Sequence, residues 1–385
     1  MGKAPASRTH SKRFAPTGAR TFSRSVWSAV SLLPLSRRVA RSLGTGSTLG
    51  GPSALLHNPS RWSLCHNSEM RPRRTTTDIF YFPLWFSIHY LHPMHWQKIA
   101  LIGVGLLGGS LGLAVKQRRL AGRVEGFVRR ESSIAECEQI GAVDQARLDL
   151  GPTVRNADLV ILCTPLAQMR ELTEQMLPDL APGAIVTDVG SVKGSVVQQL
   201  EPLVARAGAY FIGSHPMAGA EKMGVSHARE DLFAKAVCVV TPTPQSPPEL
   251  VGKIEQFWRD LGAQPLKLTP EAHDDLVSRS SHLPHVVAAE LSNYVLSPVH
   301  AKEQAMLCAN GFRDTTRIAA GSPEMWRDIC LANRKNLARV LGVFIEDLQE
   351  FQLALEKEDR KVVTEFFEQA RQRRDQWSGE GSSPE

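Results

Sequence analysis

A short apolar run, Lys98–Ile102 (KIALI), leads without a break into Gly103-Val104-Gly105-Leu106-Leu107-Gly108, and a helical pattern continues to about Arg119. No other feature restricts the fold as much. A G-x-G-x-x-G alone is weak evidence. One that closes a strand, opens a helix and precedes a second strand, here Val124–Val128, marks a dinucleotide-binding βαβ unit. Each glycine has its own reason. Gly103 permits the tight turn, Gly105 lets the backbone approach a pyrophosphate, and Gly108 lets helix and strand pack closely. The helix N-terminus then faces the phosphate charge.

Further apolar runs without polar alternation follow at Ala157–Cys163, Ala184–Val189, Tyr210–Gly213 and Ala236–Thr241. Helical segments Leu166–Leu177, Lys193–Ala207 and Pro248–Leu261 separate them. Parallel strands covered on both faces have this character, so an α/β fold is expected, with a Rossmann-type doubly wound parallel sheet over residues 94–269. After Gln264–Leu268 only helical periodicity remains, over residues 270–377, before a polar tail at 378–385. Thr269-Pro270 and Ser322-Pro323 each read as an N-cap followed by proline in the first helical turn. Leu337, Leu341, Phe344, Leu348, Phe351 and Leu355 recur at gaps of four and three. That seam fits either a dimer contact or an intrachain core stripe.

The formal charge of +6 over 385 residues is unevenly spread. Residues 1–93 hold 13 Lys and Arg against 2 Asp and Glu, so the remainder is mildly acidic and gives no argument for a nucleic-acid partner. This basic leader is rich in Arg, Ser, Gly and Pro and is expected to be disordered. It reads as an organelle transit segment, or as the product of an upstream start with Met94 as the functional initiator. Met94 stands just before the first strand, which favours the second reading and a cytoplasmic location; a genuine transit segment implies organelle import. No run of 18 apolar residues occurs, so no membrane partner is expected. Six cysteines without C-x-x-C spacing or a Cys/His cluster point to a reducing compartment and no metal.

The tip of the second strand bears on the cofactor. An acid about 20 residues past the fingerprint ordinarily holds the ribose hydroxyls of NAD. Val128 stands there instead, followed by Arg129, Arg130, Glu131 and Ser132. Two guanidinium groups and a hydroxyl suit a 2′-phosphate, so NADP is favoured, with NAD as the alternative if the arginines are solvated loop charges. Leu106 and Leu107 of the fingerprint, with Thr164 and Pro165 after the strand ending at Cys163, are further candidate cofactor contacts.

Four segments are dense in polar groups. Ser191 and Lys193, in Asp188-Val189-Gly190-Ser191-Val192-Lys193, follow a strand end and are expected to face the crevice. His215, in Gly213-Ser214-His215-Pro216-Met217-Ala218-Gly219-Ala220-Glu221-Lys222, is the leading candidate base. Its ordinary pKa lies near working pH, and the tip of a strand beside a dinucleotide is where a base must stand to take a proton from an alcohol as hydride leaves. Ser191 is placed to hydrogen-bond the same hydroxyl. His282 and His285, in Ser281-His282-Leu283-Pro284-His285, are three apart on a helix, which also suits a structural pair or a metal half-site, but no carboxylate or Cys at ligand spacing joins them, so no metal is expected. Arg317, closing Gly311-Phe312-Arg313-Asp314-Thr315-Thr316-Arg317, offers a planar fork for a carboxylate.

Taken in order, GVGLLGGSLG, DVGSVK, SHPMAG with Glu221-Lys222 behind it, SHLPH, GFRDTTRIA and MWRD resemble the prephenate/arogenate (cyclohexadienyl) dehydrogenase family. The resemblance covers roughly residues 97–377. It implies NAD(P)-dependent oxidative decarboxylation of prephenate or L-arogenate to 4-hydroxyphenylpyruvate or L-tyrosine, in a homodimer joined through the helical domain. On that resemblance His215 takes the proton of the ring hydroxyl, Ser191 holds that oxygen, and Arg317 binds a substrate carboxylate. His285 matches a second active-site histidine, Ser281 a polar neighbour and Glu221 a loop glutamate near the pocket mouth; Lys193 lines the substrate crevice. The chain departs from the family in lacking an Asp at the tip of the second strand. Residues 1–93 are too rich in Pro and Gly for a fused helical mutase-like segment, and only the short tail follows the helical domain, so any inhibition by tyrosine is expected at the active site. The competing readings are another NAD(P)-dependent hydroxyacid or imine oxidoreductase and a dinucleotide-binding sensor without turnover.

Overall fold

The computed structural model describes residues 96–219 and 222–379, with side chains described as far as Trp377. The readings made for the leader, for Glu221 and for the polar tail lie outside the described residues. Eleven elements build the first layer system: β1 (Trp96–Ile102), α1 (Leu106–Gln117), β2 (Ala121–Phe127), α2 (Ser132–Gln139), β3 (Gln145–Arg147), α3 (Leu150–Val154), β4 (Leu159–Leu162), α4 (Leu166–Met176), β5 (Ile185–Asp188), α5 (Gly194–Arg206) and β6 (Tyr210–Phe211). The six strands form one parallel sheet in the order β3-β2-β1-β4-β5-β6. The order reverses between β1 and β4, the place where a doubly wound sheet opens a ligand crevice at its carboxyl edge.

Successive residues of β1 serve opposite faces, which is why the run shows no polar alternation. Ile99 and Leu101 join a cluster with Leu111, Val115, Phe257 and Trp258. Ala100 and Ile102 join another with Met169, Leu200 and Val204. Each fully buried Leu or Ile contributes roughly 1.5–3 kcal/mol of transfer free energy, so both faces drive the fold.

The sheet departs from expectation after β6. The run Tyr210–Gly213 does not continue as a parallel strand. The chain leaves at Ile212 and forms β7 (Gly213–Pro216), which pairs antiparallel with β8 (Val237–Thr241); after α6 (Pro248–Asp260), β9 (Gln264–Lys267) adds to β8 in parallel. The cause lies in Ser214. Its N–H donates to Asp188 Oδ1 (3.1 Å) and its hydroxyl pairs with Thr187 Oγ1 (2.9 Å), so side chains at the end of β5 capture β7. β3, α2 and α3 were not expected, because elements of three to eight residues are too short to establish a period.

The remaining chain is helical: α7 (Pro270–Val277), a π-helical turn over Ser278–His282, α8 (Leu283–Val295), α9 (Lys302–Met306), α10 (Asn310–Thr316), a 3-10 turn over Arg317–Ala320, α11 (Pro323–Ala332), α12 (Arg334–Glu356) and α13 (Arg360–Gly379). Both expected caps form: Thr269 Oγ1 accepts from Ala272 N–H (3.2 Å) and Ser322 Oγ from Met325 N–H (3.3 Å). The seam on α12 divides. Leu337 is buried within the chain, Phe351 packs against Phe366 with tilted rings and edge-on against Phe367 of α13, and Leu348 and Leu355 remain exposed. No helix among the described residues is long and apolar enough to cross a membrane.

The fingerprint glycines differ in what a side chain would meet. Gly103 has φ +96°, a left-handed conformation that favours glycine. A Cβ on Gly108 would come within 2.1 Å of the Gly103 carbonyl oxygen, whereas one on Gly105 would meet nothing within 4 Å. Gly108→Ala is therefore expected to lower the melting temperature with or without a nucleotide. Gly105→Ala is expected to leave the apo melting temperature unchanged while weakening nucleotide binding at least ~10-fold, the loss of a close backbone approach to phosphate. Thermal melts and nucleotide titrations of the two variants separate these outcomes.

Candidate active site

The nucleotide end is defined by groups left without partners. α1 begins at Leu106 with no side-chain cap and no acid in its first turn, so its leading amides are available to an anion. Beside Gly103, after β4, the hydroxyl of Thr164 is buried with no hydrogen-bond partner among the described residues. A cradle open at Gly105, uncapped amides and an orphaned hydroxyl fit a dinucleotide pyrophosphate. Leu106 is buried, Leu107 is partly buried against the core, and Pro165 is the residue before α4. At the carboxyl end of β2, Val128 is buried, Arg129, Arg130 and Ser132 are exposed, and Ser132 opens α2.

The other end is dense with paired charge. Asp188 closes β5, and Lys193 precedes α5; both side chains are completely buried and form an ion pair. The Lys193 ammonium also donates to the Ser214 carbonyl (2.7 Å), and Asp188 Oδ2 accepts from Gly190 N–H (2.8 Å). The expectation that Lys193 faces the crevice and binds substrate is corrected here. Its ammonium is sealed inside the fold and ties the β5–α5 loop to β7. Burial lowers its pKa, and the Asp188 charge opposes that shift. The loop held in this way carries Ser191, which is half-buried, and β7 carries His215 one residue beyond Ser214. One ion pair thus ties the loop that carries Ser191 to the strand that carries His215. His215 lies within β7, opposite Val239, rather than after a strand of the parallel sheet as the sequence reading had it.

His215 is 8% exposed, and its Nδ1 lies 2.8 Å from His273 Nε2. His273 is on α7, fully buried, with Nδ1 2.8 Å from Asp274 Oδ1. Burial holds the His215 pKa well below the usual histidine value, and the neighbouring His273, Lys193 and His282 add to that. His215 therefore stays neutral and able to accept a proton in neutral solution. The sequence reading missed His273 and Asp274, because in PEAHDDLV they look like the polar residues of an amphipathic helix.

Leu283, Pro284 and His285 of the SHLPH segment begin α8, and its Ser281 and His282 end the π-helical turn over Ser278–His282, a backbone irregularity that recurs at functional sites. It turns His282 inward. His282 Nδ1 lies 3.2 Å from Asn333 Nδ2, which donates to the Asp274 carbonyl (2.8 Å). Burial pulls the His282 pKa down to about 4, and the nearby Ser191 backbone opposes that shift. His285 opens away on α8, half-buried, with Nδ1 2.9 Å from the Ser281 carbonyl and its ring stacked on Trp326 at 3.7 Å. Arg317 starts the 3-10 turn that packs on α8, the helix that carries His285.

Two family models match the chain. "Prephenate dehydrogenase, nucleotide-binding domain" covers residues 111–267, and "Prephenate dehydrogenase, dimerization domain" covers 269–369. The chain is 33% identical over 289 residues to prephenate dehydrogenase of Bacillus subtilis, spanning 72% of this chain and 76% of that protein. Its structure is similar to prephenate dehydrogenase from Aquifex aeolicus in complex with hydroxyphenyl propionate and NAD+, with TM-score 0.68 and 29% identity over 73% of this chain and 98% of that one. It is also similar to Synechocystis arogenate dehydrogenase, with TM-score 0.64 and 31% identity over 73% and 100% of the two chains.

If the Lys193–Asp188 pair holds Ser191 beside His215, Lys193→Met leaves a buried carboxylate uncompensated and costs about 3–5 kcal/mol. Adding Asp188→Asn is expected to recover part of that loss. Denaturant unfolding of the single and double variants measures both, and a single variant as stable as the parent would remove the pair from this role.

Proposed function

The chain belongs to the prephenate dehydrogenase family, and we propose that it carries out that family's chemistry with His215 as base, Ser191 as the holder of the substrate hydroxyl and Arg317 as the carboxylate receptor. The activity is NAD(P)-dependent oxidative decarboxylation of prephenate or arogenate. The single observation that carries the assignment of the base is His215 itself. It is a buried, neutral imidazole whose Nδ1 is engaged inside the protein, which leaves Nε2 for a ligand.

A dinucleotide held by Gly103, Gly105, Gly108 and the α1 amides would supply the hydride acceptor for the ring carbon that bears the hydroxyl. His215 Nε2 takes the hydroxyl proton, so electron density on oxygen helps the hydride leave. Ser191 hydrogen-bonds the same oxygen and fixes the ring against the base. The ring carboxylate departs as carbon dioxide, and its bonding electrons enter the ring, which becomes aromatic. No net proton is released when a hydroxyl substrate gives a phenol, so His215 returns its proton to the phenolic oxygen. Arg317 pairs with a carboxylate, and His285, with Nδ1 directed to the Ser281 carbonyl and its face on Trp326, borders the substrate on the helical side. Glu221 completes the pocket mouth on the family resemblance. Lys193 acts only through the loop that it anchors.

For the cofactor, NADP is the preferred partner. Support comes from the exposed Arg129 and Arg130 and the Ser132 hydroxyl after β2, where Val128 occupies the place of the acid that ordinarily holds the ribose hydroxyls. Leu106, Leu107, Gly103, Gly105, Gly108, Thr164 and Pro165 complete the nucleotide cradle. The dimerisation model over residues 269–369 and the exposed Leu348 and Leu355 on α12 support a homodimer joined through the helical segment.

Two experiments follow. His215→Asn should lower kcat by ~10²–10⁴ while leaving NAD(P)H binding unchanged. In the parent, the depressed His215 pKa keeps the base unprotonated as pH falls, so the acid limb of kcat should lie below the ordinary histidine value of about 6.5. An undiminished kcat in the variant would dismiss His215 as the base. Separately, Arg129→Ser/Arg130→Ser should raise KM for NADP ~10-fold or more and leave KM for NAD nearly constant, consistent with loss of charge-assisted phosphate contacts. A parent that strongly prefers NAD removes the arginine clasp.

A further inference from the structure

Asp274 is engaged on both oxygens. Its Oδ1 accepts from Lys193 N–H (2.7 Å) and lies 2.8 Å from His273 Nδ1, and its Oδ2 accepts from Gly194 N–H (2.9 Å). An ionised carboxylate only accepts, so His273 carries a proton on Nδ1. A neutral His273 then presents an unprotonated Nε2 to His215 Nδ1, 2.8 Å away. His215 must supply the proton of that bond from Nδ1, and its own lone pair is left on Nε2.

We propose that His273 and Asp274 are positioning residues for the reaction: through two successive hydrogen bonds they fix the His215 tautomer and ring orientation so that Nε2, and not Nδ1, meets the substrate hydroxyl. This rests on the reading of His215 as the base. The geometry is confined on every side. The two imidazole rings cross at 73° with centroids 5.1 Å apart, so rotation of His215 about its side chain breaks the bond to His273. His273 is fully buried and Asp274 is 5% exposed, so water does not compete for these contacts. The amides that hold Asp274 open α5, a 13-residue helix whose positive end favours a carboxylate. The same amides begin two residues after Ser191, so one carboxylate orients the base through His273 and steadies the hydroxyl-holding loop through the backbone.

The balance of protons is simple. As the substrate O–H bond breaks, the new N–H bond forms at His215 Nε2, and the Nδ1–H of the resulting imidazolium strengthens its bond to His273. The His273 Nδ1–H does the same toward Asp274, and no proton need leave the chain before His215 returns one to the phenolic oxygen. Among the described residues, the groups that bear on His215 besides His273 are the Lys193 ammonium, paired with Asp188, His282, kept neutral by burial, and the Cys238 thiol against the His215 backbone.

Two substitutions at 273 distinguish tautomer control from mere packing. In His273→Gln the amide oxygen stands where Nε2 was and can accept from His215 Nδ1–H. In His273→Asn the amide still reaches Asp274 but ends short of His215. The expected result is a ~10²-fold loss of kcat in His273→Asn with NAD(P)H affinity and melting temperature near the parent, and recovery to within ~10-fold of the parent in His273→Gln. Nitrogen NMR of the labelled parent protein should show His215 protonated at Nδ1 and bare at Nε2, with that preference lost in His273→Asn. Equal kcat in the two folded variants, or the opposite tautomer in the parent, overturns the proposal. His215→Asn, assayed beside them, separates the two claims. If it is inactive while His273→Asn is fully active, only the tautomer control fails; if it is itself active, the base assignment fails first.

Discussion

A lysine ammonium and an aspartate carboxylate with no exposure to water need each other. Asp188 and Lys193 are in that position, and the fold around the site follows from the need to satisfy them. Neither charge is tolerable alone in a low-dielectric interior. Their remaining hydrogen-bonding capacity is met by the Gly190 and Ser214 amides and the Ser214 carbonyl. Those groups belong to the β5–α5 loop and to β7. The pair therefore ties the loop that carries Ser191 to the strand that carries His215, and it explains why β7 abandons the parallel sheet.

The two ends of the crevice are prepared in opposite ways. At the nucleotide end polar groups are left open: the α1 helix has no side-chain cap, the Thr164 hydroxyl has no partner among the described residues, and Gly105 offers bare backbone. These stand ready for a ligand that supplies acceptors and negative charge. At the chemical end almost every polar atom is already engaged, from Asp274 through His273 to His215. A base must present one lone pair in one direction, and saturating its other contacts achieves that before substrate arrives. The helical segment takes part in this arrangement rather than only covering the sheet, because α7 supplies His273 and Asp274, and Asn333 links α7 to the His282 turn.

Much of this was legible in the residues. The fingerprint, the unalternated strands and the Thr269-Pro270 and Ser322-Pro323 starts were readable from neighbours within a few positions, and each appears where its local chemistry requires it. His215 and Ser191 stood out because a polar residue beside the carboxyl edge of such a sheet has few structural uses. Lys193 misled for the same reason. Its position was right for the crevice, but the partner that draws it inward, Asp188, is identifiable only once β7 closes over both. His273 and Asp274 gave no signal, since an adjacent His and Asp in an amphipathic helix are indistinguishable from solvated residues.

The sequence alone determined that this chain makes a nucleotide-binding sheet followed by helices, because hydrophobic period, capping and glycine conformation are set by interactions within a turn or a strand. Tertiary structure alone decided which nitrogen of His215 is free. That choice depends on His273, 58 positions away along the chain, and through it on Asp274, whose carboxylate is held by an amide 81 positions from it. A histidine tautomer is selected by its hydrogen-bond partner, and no local pattern specifies a partner that only folding brings into range.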